Sequence, residues 1–171
     1  MRTIEFDPTQ GQAFQGDIAI VPIPAGIKIS TADEIKPVDG RLIIQEGEVT
    51  GHHHKIVLPR SVRGHSFAPD RQIGDPTLTT HSPKLTKMFG GGKKEFPAAV
   101  ARMYRDPAAV SELQRLGILT RTDLAIGMLV VEGAPVTVSH EEHDSIKLPP
   151  GTYYCGRQVE SAGSEERVVA D

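Results

Sequence analysis

The chain has little of what several function classes require. Cys155 is the only cysteine among 171 residues. One thiol closes no intrachain disulfide, so a disulfide-stapled secreted scaffold is excluded and a reducing, cytoplasmic setting is expected. A lone cysteine in an alternating strand reads as buried filler rather than as a nucleophile. Tryptophan is absent, and five phenylalanines and three tyrosines complete the aromatics. That is too few to build stacking platforms for single-stranded nucleic acid. The formal net charge of −3 supplies no basic field to draw in a polyanion, so a nucleic-acid partner is not expected. No apolar run approaches the roughly 18 residues that span a bilayer. The opening Met1-Arg2-Thr3-Ile4-Glu5 lacks the apolar core of a secretory signal, and no membrane partner is expected.

Glycine and proline, by contrast, are plentiful, at 17 and 13 residues, which favours many turns and short strands. Apolar or alternating runs at 18–24, 41–45, 55–58, 124–131, 135–139, 146–148 and 152–159 read as strands. Helices are expected at 98–104, after Pro97, and again after Asp106-Pro107, where Asp106 suits an N-cap and Val110, Leu113 and Leu116 form a stripe ended by Gly117. The length suits one domain, 1–171. The expected architecture is mainly β, a compact barrel or sandwich, with a β core at 15–60 and 124–160 and a loop-and-helix insertion at 61–123.

Chemistry concentrates in two histidine segments. The first is Gly51-His52-His53-His54, at the start of a strand. Alternate strand residues share a face, so His52 and His54 point one way and His53 the other. The second is His140-Glu141-Glu142-His143-Asp144. If the two segments meet, His52, His54, His140 and His143 form the ligand set of a divalent metal ion. Zinc is the first expectation, with iron or manganese as alternatives, because imidazole and carboxylate suit all three. Four histidines would close a tetrahedral structural site. With one position open, the ion could activate water, with Glu142, or Glu141, as the base. The spacing H-E-E-H is not the helical H-E-x-x-H of zinc proteases, and the later Pro149-Pro150-Gly151 argues against a continuing helix. His65 and His81 read as loop histidines. Gly90-Gly91-Gly92-Lys93-Lys94 lacks the spacing of a phosphate-binding loop and reads as a basic loop.

Three pieces together carry a resemblance: Gln15-Gly16-Asp17-Ile18, Glu46-Gly47-Glu48-Val49-Thr50-Gly51-His52-His53-His54, and His140-Glu141-Glu142-His143 followed by Leu148-Pro149-Pro150-Gly151-Thr152-Tyr153 and Arg157-Gln158. With them the chain resembles a group of small bacterial and phage-associated proteins with paired G-H-x-H and H-E-E-H motifs. The likeness covers roughly 15–60 and 124–160 and implies no particular activity. More loosely the layout is similar to the cupin superfamily, in which an H-x-H strand and a later histidine form a metal site inside a small barrel. The chain departs from that pattern: Lys55-Ile56-Val57-Leu58 stands where cupins have a glutamate, and the late histidines precede the Pro-Pro-Gly turn.

Three functions follow as expectations. One is a metal-binding protein or metalloenzyme. Another is a structural or assembly subunit of a phage-derived or other multi-subunit particle, with a homo-oligomer as the expected state. The last is a hydrolase or nuclease using histidine and glutamate without metal.

Overall fold

The computed structural model describes residues 1–46, 51–58, 98–162 and 165–169. His65, His81 and the glycine-lysine run at 90–94 lie outside them. In chain order the strands are β1 (Thr3–Glu5), β2 (Ala13–Gln15), β3 (Ile18–Pro22), β4 (Glu34–Ile35), β5 (Arg41–Glu46), β6 (His53–Val57) and β7 (Val100–Tyr104). Helix α1 (Pro107–Arg115) follows, and then β8 (Ala125–Glu132), β9 (Val136–Ser139), β10 (Ser145–Leu148), β11 (Gly151–Arg157), β12 (Val159–Ala162) and β13 (Glu165–Val168).

Two sheets result. The first has the order β1-β10-β9-β6-β5 and the second β2-β3-β11-β8-β7-β4, while β12 and β13 pair as a hairpin. Pairing is antiparallel except between β1 and β10. Alternation decides which side chains lie between the sheets. Leu42, Ile44, Ile56, Val136, Val138, Ile146 and Leu148 from the first sheet meet Ile18, Ile20, Met103, Leu129, Val131, Tyr153 and Cys155 from the second. The fold is thus mainly β and sandwich-like. The closed barrel, one of the two expected forms, is not what forms. Each sheet keeps its own ends, terminated by β1 and β5 in one and by β2 and β4 in the other, three of which are only two or three residues long.

The outer face of the second sheet is covered by α1. Met128 and Tyr154, one residue out of phase with Leu129 and Tyr153, pack with Ala109, Val110, Leu113 and Leu119. Asp106 caps this helix as expected, its Oδ1 accepting from the amides of Ala108 and Ala109, and its Oδ2 accepting from the amide of Ser30. The helix expected at 98–104 is instead built as a strand over Val100–Tyr104. It is paired on one side with β8 and on the other with β4, and it turns Ala101 and Met103 into the core. Its alanine-rich composition favours helix, but two strand neighbours override that local preference. Both β7 and α1 fall within 61–123 and are part of the sandwich and its cover. Among the described residues no helix is long and apolar enough to cross a membrane. At the far end of β6, Leu58 lines one surface cleft together with Ala99, Pro135 and Val136, and both Leu58 and Ala99 pack against the core.

Candidate metal centre

Strand alternation aims the histidines. In β6, His54 and Ile56 face inward while His53 and Lys55 face out. In β9, Val136 and Val138 face inward, and His140, one step past the strand end, continues that phase and is buried. The two strands are neighbours, with Lys55 opposite Ser139 and Ile56 opposite Val138. Carried on by one residue, this register sets His54 beside His140. The imidazoles stack, with centroids 4.3 Å apart and planes 23° apart. His143 stacks on His140 at 4.7 Å, and His52 meets His140 edge-on at 5.7 Å. Two segments almost ninety residues apart thus share one cluster, and all four expected ligands belong to it. A bulge in β5 between Ile43 and Gln45 lies directly across from His54, a common device for re-aiming side chains at the end of a sheet.

Depth separates the four. His54 is 0 % and His140 4 % exposed, whereas the side chain of His52 retains 29 % and His143 is half-buried. Glu142 lies at the rim, its Oε1 3.6 Å from His52 Nδ1. Its amide donates to His140 Nδ1 at 3.2 Å. Glu141 straps the second segment to β6: its carboxylate accepts from the His53 amide at 2.9 Å and pairs with Lys55. The Lys55 hydrogen bond, helped by that amide, holds the Glu141 carboxyl down to about 2. Asp144 accepts from the Arg2 amide at 2.7 Å, which fastens the start of the chain beside the cluster.

Two buried polar residues that sequence reasoning did not assign to the site come from the second sheet. Gln15 and Asp17, each 3 % exposed, flank Gly16 in the turn between β2 and β3. Gln15 Oε1 lies 3.0 Å from His54 Nδ1, and Gln15 Nε2 donates to the backbone carbonyls of Val138 at 3.3 Å and Asp144 at 2.7 Å. Asp17 Oδ1 lies 2.7 Å from His54 Nε2. A signal is present in the sequence, since Gln15-Gly16-Asp17 is one of the pieces carrying the resemblance, but nothing in its composition or spacing marks it as part of a site. Cys155, in contrast, is the buried filler expected of it. It lies in the core, and burial pushes its thiol up to about 12.

Chemically the cluster offers four imidazoles and one buried carboxylate, a donor set that suits zinc, iron or manganese. Among the described residues no three or more histidine, cysteine, aspartate or glutamate side chains are already arranged to hold an ion. The rings of His54, His140 and His143 lie face to face, so coordination by the set requires them to turn. Comparison of the chain with protein-family models, with curated proteins and with solved structures finds no match.

Proposed function

We propose that this protein binds a divalent metal ion, zinc first and iron or manganese next, through His52, His54, His140 and His143. The observation carrying this reading is that two histidine pairs far apart in sequence share one cluster, with the buried carboxylate of Asp17 against its deepest ring. Taking a carboxylate and several imidazoles out of water is costly, and a cation held among them offsets that cost. With one coordination position open, the ion would supply the Lewis acidity that hydrolysis needs, and Glu142, at the rim beside His52, would be the base.

The test is elemental analysis of the full chain, purified without chelator and again after reconstitution with zinc, iron(II) or manganese(II). One bound ion per chain is expected. His54→Ala and His140→Ala should each lower the metal content and remove the rise in melting temperature that the ion gives; saturation at about 100 times Kd stabilises a folded state by roughly 2.7 kcal/mol. Wild-type protein that holds no stoichiometric ion under any of these conditions overturns the reading.

A further inference from the structure

The tautomer of His54 is set by bonds that do not involve a metal. Gln15 Nε2 donates to two backbone carbonyls, those of Val138 and Asp144. Turning the amide over would press its oxygen against both acceptors, so the end that meets His54 is Oε1. A carbonyl oxygen only accepts. His54 Nδ1, 3.0 Å away, therefore carries a proton and donates it. In a neutral imidazole the other nitrogen is then a bare lone pair. That nitrogen, Nε2, faces Asp17 Oδ1 at 2.7 Å. A lone pair and a carboxylate oxygen at that separation repel unless a positive charge lies with them, and only a proton or a metal ion fits.

His140 differs. Its Nδ1 accepts from the Glu142 amide, so its neutral ring keeps the proton on Nε2 and must give up a bond or a proton before it ligates. The pair of His54 and Asp17 is the part of the cluster already set for a cation.

Resting on the metal-binding reading above, we infer that Asp17 is a ligand of the same ion, shared with His54 Nε2, and that Gln15 is the positioning residue that fixes His54 in the ligating tautomer. The coordination sphere is then mixed imidazole and carboxylate, and it draws on both sheets. A carboxylate makes the sphere harder than imidazoles alone, which widens the acceptable ions toward manganese(II), iron(II) and cobalt(II). Gln15 plays the outer part that usually falls to a carboxylate or carbonyl behind a metal-bound histidine.

Cobalt(II) is the probe, because its visible absorption reports the ligand set. Affinity is measured on the full chain by competition with a chelator. Asp17→Asn keeps the shape and removes the charge; it should weaken cobalt(II) binding about 10- to 100-fold and shift the absorption bands. Gln15→Met should weaken binding over the same range of about 10- to 100-fold and leave the bands in place, since the ligands themselves are unchanged. Long-range proton–nitrogen NMR on zinc-loaded wild-type protein gives a readout free of any folding defect, with a protonated Nδ1 and a metal-shifted Nε2 expected for His54. An Asp17→Asn protein that binds cobalt(II) as tightly as wild type with unshifted bands overturns the inference, as does a His54 that carries its proton on Nε2. Wild-type protein that takes up neither cobalt(II) nor zinc overturns this inference together with the metal-binding reading. Uptake that the substitutions leave unaltered overturns this inference alone.

Discussion

The Cys155 thiol is enclosed between the sheets, and burial lifts it from its ordinary value to about 12. Burial likewise lifts Tyr153 and Tyr154 to about 12. All three groups stay neutral in the folded protein at pH values where the unfolded chain ionises them. Because each folded value lies above the unfolded one, their contribution is fully present below about pH 8 and is lost as pH rises toward about 12. Denaturant unfolding should therefore show stability falling between about pH 8 and about pH 10.5, and Cys155→Ala should reduce that fall by about 1–2 kcal/mol. Equal slopes for the two proteins would show that the thiol ionises as freely in the fold as out of it. Tyr153 also donates its hydroxyl to the Pro149 carbonyl at 2.7 Å, which anchors the turn before β11.

At the scale of elements, α1 depends on the capping residue just before it. Asp106 serves two amides of the helix and, through its other oxygen, the Ser30 amide of a distant loop. Asp106→Ala should cost about 1–3 kcal/mol in denaturant unfolding, more than an ordinary cap because the Ser30 amide loses its acceptor as well. A loss within a few tenths of a kcal/mol would mean that water replaces all three bonds. This helix could be read from sequence because capping chemistry is local: Asp, then Pro, then a stripe. Val100–Tyr104 could not, because β4 and β8 decide its conformation, and neither is adjacent in sequence. The candidate site divides in the same way. Alternation within β6 and β9 puts His54 and His140 on the inward face, and that much is written in each segment alone. The approach of Gln15 and Asp17 crosses from one sheet to the other, and no periodicity encodes it.

For the whole molecule, the arrangement of the two sheets governs what can be changed. The histidine cluster gathers where β6 and β9 run out and the turn between β2 and β3 arrives. The cleft shared by Leu58 and Ala99 lies at the other end of β6. These two residues, on either side of 59–97 in sequence, border one cleft. That cleft is a natural splice point. Replacing 59–97 with a glycine-serine bridge of about eight residues shortens the chain that joins Leu58 to Ala98 and should favour folding by about 1 kcal/mol in chain entropy. The spliced protein should unfold cooperatively and retain the metal stoichiometry of its parent, as read by melting and elemental analysis; a molten or aggregated product would show that the sandwich needs what was excised. If the splice succeeds, a foreign domain could be grafted at the same junction.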